Sequence, residues 1–335
     1  MNIHILHTGG TIGSVRADGA RALAPAEAQD ATRLPVPDGV LFSESRPLNI
    51  LSENMTTAHW YELILHLRGL ATDGKDGLIV THGTDTLAYT ACLLSLMFSA
   101  PKLPVLLVSA NRPLSDPASN GRENFAAALT AIEEKIPPGV YAVYKNSDGR
   151  SYLHAGAELL QCPCGGDDFF SLFYGGAAGD PFAEIRAGKL RRRKAPPPSV
   201  PIPNGFFENF DGRFRKVPAI RPHVGIDYAA YRLDGADAVL HGLYHSNTAA
   251  AFAEESESGS VLYLAKRCAE AGIPLCVAPF SQKAPHGGKI LYETTARMLD
   301  AGILPLTGVT FEMALVMLML GLAPSYPAKS TAQFV

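Results

Sequence analysis

Two threonines follow glycine at corners where predicted strands end. The run HTGGTIG, residues 7–13, sets Thr11 behind the Gly9–Gly10 pair. The run THGTDT, residues 81–86, sets Thr84 behind Gly83 and directly before Asp85. Glycine permits positive φ and close backbone approach, so a hydroxyl beside it can face a ligand. Threonine is a competent nucleophile only when a base or polarising group activates it. Either run alone reads as an ordinary turn after a strand. Two such corners in one α/β domain predict a site built around two threonines, and their partners decide the chemistry.

Those corners need a scaffold, and the flanking pattern supplies one. IHIL at 3–6, GLIVTHG at 77–83, PVLLVSA at 104–110 and GVYAVYKN at 139–146 read as strands. Between them, Thr56 or Thr57 caps a helix whose Trp60, Leu63, Ile64, Leu67 and Leu70 recur at i, i+3, i+4 spacing. TLAYTACLLSLMF at 86–98 reads as a buried helix, and another runs near Arg122 to Glu134. Strands alternating with helices predict an α/β protein with a mainly parallel, doubly wound sheet. Ligands in such sheets bind at the carboxyl ends of strands, where both threonine runs fall. Residues 189–218 turn basic and then proline-rich, the signature of a solvated linker. Beyond it, DAVLHG at 237–242 and PLCVAPF at 274–280 read as strands, VLYLAKRCAEAG at 261–272 and FEMALVMLMLGL at 311–322 as helices. The expected organisation is a larger N-terminal domain over 1–190, a linker over 191–218 and a smaller α/β domain over 219–335.

Composition narrows the function classes. A net charge of −3 over 335 residues gives no electrostatic case for nucleic acid or an anionic membrane. The longest apolar stretch, ALVMLMLGLA at 314–323, is too short to span a bilayer. NIHILHTGG at the start reads as strand and turn, with no signal-peptide pattern ahead of it, so a cytoplasmic protein is expected. Five cysteines, an odd number, fit free thiols in a reducing compartment. Cys162-Pro-Cys164 lacks a second ligand pair at zinc spacing, so no metal site is expected.

TGGTIG at 8–13, SENMT at 52–56, HGTDTLAYTA at 82–91 and ANRPLSDPASNG at 110–121 occur in this order. With them the chain resembles the bacterial-type L-asparaginase family, its spacing similar to the cytoplasmic branch. The resemblance is specific over residues 1 to about 130 and thinner to the C-terminus. It implies hydrolysis of L-asparagine or a related amide to L-aspartate and ammonia through a threonine nucleophile. It also implies no cofactor, a small-molecule amino-acid amide as partner, and a homodimer or homotetramer. By the same resemblance Thr11 attacks the amide carbon, and Thr84 positions water and polarises the reacting group. Asp85 then holds the substrate α-ammonium, Ser52 its α-carboxylate, and the Ala110 backbone faces the leaving amide. Glu53 is either a second ammonium contact or a surface residue, and His82 is structural.

Two departures from the family pattern stand out. The family carries a lysine upstream of a Phe-x-Ser run, here Phe169-Phe170-Ser171. Leu160 falls near that position, and no lysine occurs between Lys145 and Lys189. Lys145 is then the first candidate cation for Thr84. The loop SVRADGARALAPAE has no tyrosine where the family has one, and Arg21 is nearest by count. SQKAPHGGK at 281–289 is a candidate contributor to a neighbouring subunit's site. Three readings remain open: an active amidohydrolase, a degenerate amino-acid binder, and an amidotransferase-type subunit.

Overall fold

Strand β1, Asn2–His7, alternates its side chains between two apolar layers, Ile3 and Ile5 in one and Leu6 in the other. The computed structural model describes residues 1–16, 23–25, 38–98, 102–172, 179–195, 202–252, 256–281 and 292–322. Arg21 and residues 282–289 therefore lie outside the described residues. In chain order β2 (Ser14–Arg16) and β3 (Leu23–Pro25) form a separate antiparallel pair. β4 (Leu41–Ser45), β5 (Gly77–Thr81), β6 (Pro104–Val108) and β7 (Gly139–Lys145) join β1. β8 (Ser151–Ala155), β9 (Ala183–Arg186) and β10 (Lys189–Arg192) complete an 8-stranded sheet of order β10-β9-β8-β7-β6-β5-β1-β4. From β4 through β7 every neighbouring pair is parallel, and β8, β9 and β10 extend the sheet in antiparallel fashion.

Helices cover both faces, as a doubly wound sheet requires. α1 (Thr57–Gly69) and α2 (Leu87–Met97) pack Leu63, Leu67, Leu87 and Leu94 against Leu78, Val80 and Leu107. α3 (Gly121–Glu133) packs Phe125, Leu129 and Ile132 against Ile79, Leu106 and Val108. Thr56 is the residue that caps α1: its Oγ1 accepts from His59 N at 3.4 Å, and His59 Nδ1 accepts from Thr56 N at 3.2 Å. Trp60 Nε1 then donates to Thr90 Oγ1 at 3.1 Å, tying α1 to α2.

Contacts divide the chain into two compact units, one holding residues 1–172 and 179–212, the other beginning at Arg213. The single turn α4 (Phe206–Asn209), inside the stretch expected as linker, belongs to the first unit. Phe207 packs on Phe98 with centroids 4.8 Å apart, and Arg68 Nε donates to Phe207 O at 2.6 Å. The second unit is a parallel sheet of β11 (Ala219–Ile220), β12 (Val239–His241), β13 (Leu275–Phe280) and β14 (Leu304–Thr307). Its helices are α5 (Val261–Glu270), α6 (Glu293–Asp300) and α7 (Phe311–Met319), and Val261, Leu264, Val277 and Met298 lie in its core.

Three buried histidines give the fold an acid sensitivity. Burial pushes His82 and His241 down to about 4 and His154 down to about 3, so each is neutral at pH 7. The unfolded chain takes up these protons near pH 6.5 and the folded one does not. Stability is therefore complete above that pH and is lost as pH falls towards about 4. Each histidine should cost about 2 kcal/mol between pH 7 and pH 5. Urea unfolding at the two pH values checks this, and equal midpoints would contradict it.

Candidate active site

The first threonine corner is stitched to its neighbours by backbone groups. Thr8 Oγ1 donates to Thr81 O at 2.8 Å, and Ile50 N donates to Thr8 O at 3.2 Å. Gly10 N donates to Ile50 O at 2.7 Å. Gly10 sits at φ 79°, a conformation few side chains tolerate, and a Cβ there would collide with the backbone of Gly83. Gly83 in turn leaves no room for a Cβ against Ser52 Oγ. The runs at 8–13 and 82–91 thus meet backbone to backbone at the carboxyl ends of β1 and β5, and the run at 52–56 joins them through the Ser52 side chain. Distance in sequence is erased by the parallel register of the two strands.

Ser52 and Asp85 are joined twice. Asp85 N donates to Ser52 Oγ at 3.2 Å, and Ser52 Oγ donates to Asp85 Oδ2 at 3.3 Å. Thr86 Oγ1 adds a bond to Ser52 O at 3.0 Å. Ser52 is buried, whereas Asp85 and Glu53 are exposed and Thr11 and Thr84 are half-buried. Among the described residues neither Thr11 nor Thr84 has a side-chain hydrogen bond, and neither Asp85 nor Glu53 has an ion-pair partner. Two hydroxyls without side-chain hydrogen bonds and a carboxylate without an ion-pair partner thus sit in the loops that follow β1 and β5.

The flank of this site is held by β6 and its following loop. Ala110 is fully buried, and the preceding Ser109 Oγ donates to His82 O at 2.6 Å. Asn111 Nδ2 donates to Asp167 Oδ2 at 2.9 Å, and Tyr144 OH to Asp167 Oδ1 at 2.7 Å. His82 is fully buried, and its Nδ1 donates to Gly83 O at 2.8 Å. With that proton committed and the ring neutral, His82 supplies no positive charge to the corner.

The Asparaginase, N-terminal family model matches residues 2–179. The chain belongs to the asparaginase family. Members of this family are amidohydrolases, which cleave carbon–nitrogen bonds of amides. A glutamyl-tRNA(Gln) amidotransferase subunit of Methanococcus maripaludis strain C7 is 33% identical over 189 residues, 55% of this chain and 44% of that protein. The chain thus matches less than half the length of that relative. The thermostable L-asparaginase from Thermococcus kodakarensis superposes with a TM-score of 0.75 at 24% identity, covering 100% of this chain and 96% of that one. A probable cytoplasmic L-asparaginase from Campylobacter jejuni gives 0.69 at 21% identity, covering 99% and 98%. At these identities the structural likenesses show the shared two-domain α/β fold.

In this asparaginase-family chain the candidate cations resolve against expectation. Lys145 ends β7, as the sequence suggests, but its Nζ donates to Glu123 Oε1 at 2.7 Å on α3. It is committed there instead of reaching Thr84. Lys145→Ala should therefore leave amide turnover within about threefold and stability within about 1 kcal/mol, as exposed pairs do. A large loss of turnover in a steady-state assay would overturn that placement. Leu160, near the family's lysine position by count, pairs its backbone N with Phe170 O at 3.0 Å. The next residue, Gln161, reaches the site and donates from Nε2 to Asp85 O at 2.7 Å. Sequence counting does not single out Gln161. The clue was the Leu159–Ser171 bridge, which fixes the register and cannot be read without the fold.

Proposed function

We propose that this chain hydrolyses the side-chain amide of L-asparagine, or of a related amino-acid amide, to the acid and ammonia. The observation that carries the reading is the doubly bonded Ser52–Asp85 pair beside two uncommitted threonine hydroxyls. Asp85 takes the α-ammonium, and exposed Glu53 can add a second anionic contact. Ser52 takes the α-carboxylate by turning its single hydroxyl proton from Asp85 Oδ2 to the ligand. Thr11 Oγ1 attacks the amide carbon, its proton passes to the leaving nitrogen, and the C–N bond breaks to release ammonia. Water oriented by Thr84 then attacks the acyl ester, restoring the Thr11 hydroxyl and freeing the acid. Backbone at Ala110 lies on the side of the leaving amide. Threonine and water suffice for this chemistry, so the reading requires no cofactor. A homo-oligomer in the cytoplasm completes it, and among the described residues no helix is long and apolar enough to cross a membrane.

With Leu160 near the family's lysine position and Lys145 paired to Glu123, no cation among the described residues pairs at the Thr84 corner, and turnover is expected to be slow by comparison with lysine-bearing relatives. Ammonia release from purified protein, coupled to a dehydrogenase, is the test. Release from asparagine supports the reading. Asparagine binding without release selects the degenerate binder, and neither binding nor release overturns both. The amidotransferase-type reading is favoured by one observation, the 33% identity to the Methanococcus maripaludis amidotransferase protein. A kcat/KM for glutamine well above that for asparagine would select it.

A further inference from the structure

Asp85 is held at both of its peptide groups, and only one holder belongs to the recognised motifs. Its N–H goes to Ser52 Oγ at 3.2 Å. Its carbonyl accepts from Gln161 Nε2 at 2.7 Å, across 76 positions of sequence. The Asp85 carbonyl can only accept, so the amide nitrogen of Gln161 must face it. That orientation leaves Gln161 Oε1 buried with no hydrogen-bond partner. Leaving a buried acceptor unpaired is unfavourable, and a surface-seeking glutamine would avoid it by turning outward. Gln161 is kept in place by paired backbone on both sides of the Leu159–Ser171 bridge: Leu160 N donates to Phe170 O at 3.0 Å and Leu172 N to Glu158 O at 2.8 Å.

From this arrangement we infer that Gln161 is a positioning residue of the active site. Its neutral amide clamps the Asp85 carbonyl while Ser52 holds the Asp85 N–H, and so sets where the Thr84 hydroxyl and the Asp85 carboxylate face. A donor is what the position requires. A lysine there would supply one and would leave no orphaned acceptor, whereas an apolar side chain of the same length would release the corner. Because the clamp carries no ionisable group, it adds no limb of its own to the pH profile. The inference rests on the proposed amidohydrolase reading for its kinetic consequences, and on the hydrogen bond alone for its structural ones.

Gln161→Met keeps the side-chain length and removes both polar atoms. The variant should lose roughly ten- to a hundredfold in kcat/KM for asparagine, with an unchanged melting temperature. Backbone amides of residues 83–87 should exchange with deuterium about tenfold faster than in wild type. Gln161→Lys should retain most of the activity and the slow exchange, and should introduce an alkaline ionisation absent from the wild-type profile. Wild-type kcat/KM and exchange in Gln161→Met would overturn the inference, as would a Gln161→Lys variant as impaired as Gln161→Met. If the wild type releases no ammonia, the hydrolase reading fails, and the exchange rates still decide the clamp.

Discussion

Thr11→Val should abolish amide hydrolysis while leaving the protein folded. Valine reproduces the β-branched shape and removes only the hydroxyl. Thr11 opens a single 3-10 turn, is half-buried, and makes no side-chain hydrogen bond among the described residues, so little stability depends on that oxygen. Surface changes of this kind fall within about 0.5 kcal/mol. Loss of a nucleophile, by contrast, removes the covalent route altogether and costs about three to six powers of ten in kcat. Ammonia release, measured beside thermal unfolding, separates the two effects. Residual turnover within tenfold of wild type would assign the attack to another group, with Thr84 the next to examine.

Asp85→Ala should weaken amino-acid binding by roughly 2–5 kcal/mol, the cost of desolvating an ammonium with no counter-charge. Calorimetric titration with asparagine in the Thr11→Val background avoids turnover during the measurement. Two losses are combined in the alanine variant, because Asp85 Oδ2 also accepts from Ser52 Oγ at 3.3 Å. Asp85→Asn resolves them. It keeps an acceptor for Ser52 and removes the charge, so binding as weak as in the alanine variant identifies the charge as the recognised feature. Unchanged affinity in both would make Asp85 a structural residue of the corner.

The amino-acid sequence by itself determined the class of fold and the candidate motifs. Aliphatic runs such as Leu78–Val80 and Val105–Val108 are buried on both faces, so they read as parallel strands without reference to any partner. The helix stripe from Trp60 to Leu67 and its Thr56 cap are equally local. Glycine at 10 and 83 marks positions where two segments press together, and its meaning is carried by residue type alone. The edge strand β4, LFSES, is half-exposed and polar, and β8, β9 and β10 are short antiparallel additions, so neither has a strong local signal.

Tertiary structure decided what faces the threonines. Whether Lys145 served Thr84 or Glu123 depended on which way the end of β7 faces, and α3 claimed its ammonium. That Gln161 reaches Asp85 depends on a one-residue register, fixed by the pairing of residues 158–160 with 170–172. In extended chain successive side chains point to opposite sides, so an error of one residue exchanges a leucine for an amide donor. A local motif encodes its own corner; the group that arrives from 76 residues away is set by sheet register and helix packing, which the spacing along the chain does not contain.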